Sequence, residues 1–165
     1  RTKQTMHTDQ AQKQIALDRR YLRMAQIWAE NSYCKRRKVG AIIVKDSMII
    51  SDGFNGTPSG FENVCEDESG VTKPYVLHAE ANAIISASRR DMVGGTIYLV
   101  GRNAATGELL PDATSCLMCR RMVINAGLER VVIRRTKTEF EVVPVETWIA
   151  EDDLMTPENV VMDLK

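Results

Sequence analysis

The sequence predicts an α/β domain built on a central mixed sheet with helices on both faces. Two observations carry this: short β-branched runs recur along the chain, and helical stretches stand before the third run and between the third and fourth, which requires crossover connections. A third bounds it. With 165 residues, 44% of them hydrophobic, the chain fills one core, and two large domains do not fit.

The elements follow in order. Residues 1–8 are read as a disordered or vector-derived start, with Met6 the candidate natural beginning, residues 9–153 as one domain and residues 154–165 as a polar tail. From Asp9 to about Glu30, Ile15, Tyr21, Leu22, Ala25, Ile27 and Trp28 recur at helical spacing, with Thr8 or Asp9 as the cap. Val39–Val44 and Met48–Ser51 are β-branched runs joined by Lys45, Asp46 and Ser47, the pattern of a hairpin with a tight turn. Between Asn55 and Pro74 the chain fills with Gly, Pro, Ser and acidic residues; a loop of this length in a small domain is usually functional. Leu77–Arg89, rich in Ala and Ile, predicts a second helix, and Thr96–Val100 a third strand. A polar loop leads to a helix over Cys116–Ala126 that Gly127 closes in the left-handed conformation. Arg130–Arg134 is the fourth strand, Phe140–Val143 a fifth, and Val145–Asp153 a last short helix.

Composition excludes several function classes. Lys and Arg number 22 against 22 Asp and Glu, so the electrostatic drive for nonspecific polynucleotide binding is missing, and no nucleic acid polymer is expected as a partner. No apolar run approaches the roughly 20 residues that a membrane helix needs, and no signal peptide opens the chain, so a cytoplasmic protein without a membrane partner is expected. Four Cys are too few for a disulfide scaffold, and Cys116 and Cys119 stand in a C-x-x-C spacing that belongs to metal or thiol chemistry.

His78 and Glu80 open one predicted helix, and Cys116 and Cys119 open another. One imidazole and two thiolates from two helix N-termini suit zinc, because the unpaired N–H groups and the helix dipole favour thiolate over thiol. The remaining His, His7, lies near the chain start, which leaves the fourth zinc position to water. Glu80, two residues past the ligand, is then placed to carry protons without binding the metal. His-x-Glu followed by C-x-x-C is the known signature of zinc nucleobase deaminases.

The chain resembles the deoxycytidylate deaminases of the cytidine and deoxycytidylate deaminase superfamily, through Cys34-Lys-Arg-Arg-Lys-Val-Gly-Ala-Ile-Ile-Val44, Gly53-Phe-Asn-Gly-Thr-Pro-Ser-Gly60, His78-Ala-Glu-Ala-Asn-Ala-Ile84 and Ile124-Asn-Ala-Gly127. The resemblance implies a three-layer α/β/α cytidine-deaminase-like fold with a central mixed five-stranded sheet, one catalytic Zn2+ per chain, and a homo-oligomer. It implies hydrolysis of dCMP to dUMP and ammonia, feeding thymidylate biosynthesis. It assigns His78, Cys116 and Cys119 to the metal, Glu80 to catalysis, Asn55 to the sugar hydroxyl, the backbone at Ala79 to the pyrimidine carbonyl, and Arg89 to the 5′-phosphate. Arg89 lies 11 residues after His78, about three turns along one helix, and a guanidinium fork suits a phosphate dianion. Control by dCTP and dTTP, with Mg2+ accompanying the effector, is also implied; for it the run Lys35–Lys38 is a candidate contact, and equally a solvated face.

The chain departs from the family in two places. Ser115 stands where Pro usually precedes the first Cys of the pair, and is expected to cap the helix. An additional loop, Arg102–Thr114, separates the third strand from the ligands. Some relatives hold a second zinc near Cys34 and Cys65, but here the additional His is lacking and two reduced thiols are expected. The rival readings are a deaminase of cytidine, guanine or tRNA adenosine on the same fold, a closed zinc-stabilised binding module, and a thiol-redox pair at Cys116 and Cys119.

Overall fold

The computed structural model describes residues 3–151. The expected hairpin forms as β1 (Arg37–Lys45) and β2 (Met48–Phe54). Asp46 and Ser47 make the turn at φ of 51° and 61°, the left-handed pair that matches strand twist in a two-residue connection. With β3 (Thr96–Asn103), β4 (Arg130–Arg134) and β5 (Phe140–Pro144) they build one five-stranded sheet in the order β2-β1-β3-β4-β5. β1 is antiparallel to both neighbours, β3 and β4 are parallel, and β5 is antiparallel to β4. β2 and β3 therefore run in the same direction on either side of β1, and the links from β2 to β3 and from β3 to β4 are the two helical crossovers that the sequence requires.

Alternation along the strands divides the core into two layers. Ala41, Ile43, Ile97, Leu99, Val131 and Ile133 face one side, where α2 (Ala79–Ile85), α3 (Arg89–Met92), α4 (Leu117–Asn125) and α5 (Val145–Ala150) supply Ala79, Ala83, Met92, Val123 and Trp148. Ile42, Val44, Tyr98, Val100 and Val132 face the other, under Leu22 and Ala25 of α1 (Lys3–Ala29). The molecule is thus the three-layer α/β/α sandwich expected. α1 lies so close to β1 that a Cβ on Gly40 would strike the Ala25 carbonyl and the Ala29 nitrogen. A buried polar cluster ties the same helix to the sheet: Asp18, 2% exposed, accepts from Tyr98 Oη (2.6 Å) and pairs with Arg130 Nη2 (2.8 Å).

Several boundaries differ from expectation. α1 begins at Lys3 rather than Asp9, because Lys, Gln and Met continue the helix past the expected caps. The helix expected over Leu77–Arg89 is interrupted between Ile85 and Arg89. Ser86 Oγ donates back to the Asn82 carbonyl (2.7 Å), and Ser88 Oγ accepts from Asp91 N to cap α3, side-chain bonds that compete with helix continuation. α4 is capped by Cys116, whose Sγ accepts from Cys119 N, and not by Ser115. Gly127 takes the left-handed conformation expected, at φ 78°. The end of the predicted last helix, at 152–153, and the tail at 154–165 lie outside the described residues.

Cys34 and Cys65, expected as reduced thiols, instead form a disulfide, with Cα atoms 5.2 Å apart. The loop after β2 folds back over the entry to β1, where Glu66 Oε1 accepts from Lys35 N (2.9 Å) and Arg36 N (3.1 Å). That return brings together two sulfurs 31 residues apart in sequence.

Candidate active site

His78 ends up beside the C-x-x-C pair because the Gly53-Phe-Asn-Gly segment builds its seat. Gly53 lets α2 settle on β2, since a Cβ there would strike the Ala79 carbonyl and the Ala83 nitrogen. Gly56 and Leu77 exchange backbone hydrogen bonds (Gly56 N to Leu77 O 3.1 Å, Leu77 N to Gly56 O 2.8 Å), and Asn82 Nδ2 donates to the Phe54 carbonyl (2.8 Å). His78 is left as the N-cap of α2, with its side chain making no cap bond and the ring therefore free to turn outward. α4, packed against α2, presents Cys116 and Cys119 to the same point.

His78 Nδ1 stands 3.4 Å from Cys116 Sγ and 3.4 Å from Cys119 Sγ, and the three donor atoms lie within 4.8 Å of one another. Zn–N bonds of about 2.0 Å and Zn–S bonds of about 2.3 Å in a tetrahedron separate N from S by about 3.5 Å, so the donor set fits zinc. Among the described residues it is the one such group of His, Cys, Asp and Glu. Nothing in the structure assigns residues to the expected Mg2+. Burial, reinforced by the negative charge of Glu80 and of Cys116, pushes the Cys119 thiol well above its usual range in the metal-free chain. A bound dication reverses that balance and holds the sulfur as thiolate.

The cluster borders a cavity of about 370 Å³. Glu80 and Ala79 enter it from the first turn of α2, 5% and 0% exposed. As the first residue of α2, Ala79 has an N–H without a partner inside the helix. Asn55 also lines the cavity, but its side chain already bridges backbone: Oδ1 accepts from Val39 N (2.9 Å) and Nδ2 donates to Arg37 O (2.8 Å). One further acceptor site and one N–H remain on that amide.

Arg89 does not join these residues. The break after α2 turns it away, and its Nε donates to the Asn125 carbonyl (2.8 Å) instead of facing the cavity. Arg36 and Arg37 of the basic run are among the residues that line the cavity. From the sequence that run suits an effector or solvent equally; strand alternation alone does not tell which of four consecutive cations borders the cavity at the entry to β1. The additional loop was also legible only as an insertion, and it supplies a wall through Leu110, Ala113 and Thr114. Ser115 Oγ is buried without a hydrogen-bond partner.

Comparison with known proteins agrees with this geometry. Residues 15–135 match the cytidine and deoxycytidylate deaminase zinc-binding region. The chain is 33% identical over 129 residues to a deoxycytidylate deaminase of Mycobacterium phage D29, covering 70% of this chain and 91% of that protein. It is 32% identical over 126 residues to the deoxycytidylate deaminase of Schizosaccharomyces pombe, covering 70% of this chain but 36% of that longer protein. The crystal structure of the dCMP deaminase from cyanophage S-TIM5, in complex with dCMP and dUMP, superposes with a TM-score of 0.58 at 38% identity, covering 70% of this chain and 79% of the other.

Proposed function

Because the chain belongs to the cytidine and deoxycytidylate deaminase family, we propose that it hydrolyses dCMP to dUMP and ammonia and so feeds thymidylate synthesis. The observation that carries this reading is the convergence of His78, Cys116 and Cys119 at the edge of a cavity that also contains Glu80. His78, Cys116 and Cys119 hold a single Zn2+, which supplies the Lewis acidity that activates the attacking water. The carboxylate of Glu80 accepts that water's proton and delivers it to N3 of the cytosine as oxygen adds to C4. Glu80 then transfers the second proton from the new hydroxyl to the C4 amine, and the C4–N bond breaks to release ammonia. Its burial keeps the carboxylate away from bulk water, so that both transfers stay within the site.

Substrate binding follows from the same wall. The first-turn N–H of Ala79 donates to the pyrimidine carbonyl, and the remaining capacity of the Asn55 amide meets the sugar hydroxyl. Arg36 and Arg37 take the 5′-phosphate in place of Arg89, since they are the arginines that line the cavity. Assembly into a homo-oligomer belongs to the same reading: Ile85, Met118 and Ile149, each more than half exposed on the helices of one layer, are apolar surface that a second copy would cover. Control by dCTP and dTTP rests on the family resemblance, and a place in the cytoplasm is part of the same proposal.

The deciding experiment measures ammonia release from dCMP and from deoxycytidine side by side, with the zinc content of the same sample. Turnover of dCMP alone with about one zinc per chain is expected. Replacing Arg36 and Arg37 together by Gln should raise KM for dCMP, while Arg89→Gln should leave it where it is. Bound zinc with neither substrate turned over would overturn the assignment.

A further inference from the structure

We propose that Arg135, outside the cavity, is a positioning residue that clamps the cavity wall and thereby sets the affinity for the nucleotide; this deepens the dCMP reading and rests on it. The wall belongs to the loop between β3 and α4. As far as Leu110 that loop supports itself on β3: Leu110 N donates to Gly101 O (2.9 Å), Asn103 N to Glu108 O (2.8 Å), and the Asn103 side chain caps Ala105 N and Thr106 N. Beyond Leu110 this ladder stops. The backbone hydrogen bond from Ala113 N to Leu110 O (3.1 Å) stays inside the loop. Yet it is this stretch that places Ala113 and Thr114 against the cavity and leads directly into Cys116.

Arg135 supplies the missing attachment. It follows β4 directly, and its Nη1 donates to two carbonyls of the stretch, Pro111 O (2.9 Å) and Ala113 O (3.0 Å). The other edge of the guanidinium is held by Glu141 of β5, which accepts from Nε (2.8 Å) and from Nη2. One planar group thus joins the sheet edge to the wall, using donors in a fixed fork that a lysine does not possess. On the inner side Ala113 presses on Gly101, where an added Cβ would come within 2.9 Å of the Ala113 methyl. The wall is held between a side chain that pulls from outside and a glycine that makes room inside. A contact between Arg37 and Asp112 (3.6 Å) is loose and exposed on both sides, and does not replace the clamp.

The partly exposed Arg135–Glu141 pair adds little to global stability, so its effect should appear in substrate binding. The test takes Arg135→Met, Arg135→Lys and Glu141→Gln in the full chain, with zinc content, steady-state kinetics on dCMP and amide hydrogen exchange of residues 107–114. Arg135→Met should raise KM for dCMP by at least about tenfold while kcat moves by less than about threefold, with zinc retained. Exchange in 112–114, above all at the hydrogen-bonded Ala113 N–H, should accelerate while β3 and β4 remain protected. Arg135→Lys should restore part of the lost affinity by reaching one carbonyl, and Glu141→Gln should give a smaller shift in the same direction. Unchanged exchange in 112–114, or an unchanged KM with accelerated exchange, would overturn the proposal. If the wild-type protein does not deaminate dCMP, the functional reading fails by itself, and the exchange measurement decides whether Arg135 holds the wall.

Discussion

Glu80 is buried beside two thiols and an imidazole and has no cationic side chain paired with it among the described residues. A carboxylate so placed is suited to moving protons, and Glu80→Gln should keep zinc while kcat falls by about 10²–10⁴ or more, the span usual for a lost general acid–base group. Cys116→Ala should instead lose the metal, because two donors remain; metal analysis of both variants separates the two outcomes. These four positions were legible in the sequence because each pair is fixed by its own short segment, His78 with Glu80 on one helix start and Cys116 with Cys119 on another. Arg36 and Arg37 were not, since their direction depends on where the strand begins and on a loop that returns from residue 66. Arg89 was misplaced by assuming that the helix continues through Ser86 and Ser88.

At the scale of elements, the close approach of α2 to β2 is what brings the imidazole to the thiols. Gly53→Ala should push the start of α2 outward and lower zinc occupancy, a loss that elemental analysis would show even in a variant that still folds. The placement of α1 rests on the Asp18–Tyr98–Arg130 cluster. Burial, together with the hydrogen bond to Asp18, holds the Tyr98 phenol above its ordinary value near 10. The unfolded chain therefore releases this proton first, so the stabilisation is complete below about pH 10 and declines as pH rises above it. Urea titrations between pH 8 and 11 should show wild-type stability falling more steeply above pH 10 than that of Tyr98→Phe. The strands and their order of crossovers could be read from β-branched runs; the pairing of Tyr98 with Asp18, 80 residues away, could not, because neither residue type announces a buried partner.

At the scale of the whole molecule, the described residues form a sheet with one helix on one face and four on the other, and the catalytic layer is the one built from short helices and long loops. Those loops depend on ties from outside themselves, of which the Cys34–Cys65 disulfide is the covalent one. Closing a loop of this length is worth about 3–4 kcal/mol in the chain-entropy account. Unfolding by urea with and without a thiol reductant should differ by roughly that amount, and no difference would mean that the bond contributes little in solution. The mixed sheet and the two crossovers followed from the order of strands and helices. The covalent tie did not, since a separation of 31 residues and a long polar loop give no hint of where the second sulfur returns.

The same bond closes residues 34–65 into a circle that contains both strands of the hairpin. A protease cutting at the exposed Phe61 would open the circle without dividing the molecule. The nicked protein would run as a single band on a denaturing gel until reductant was added, and only then part into two pieces. A gel run without reductant would count such molecules as whole.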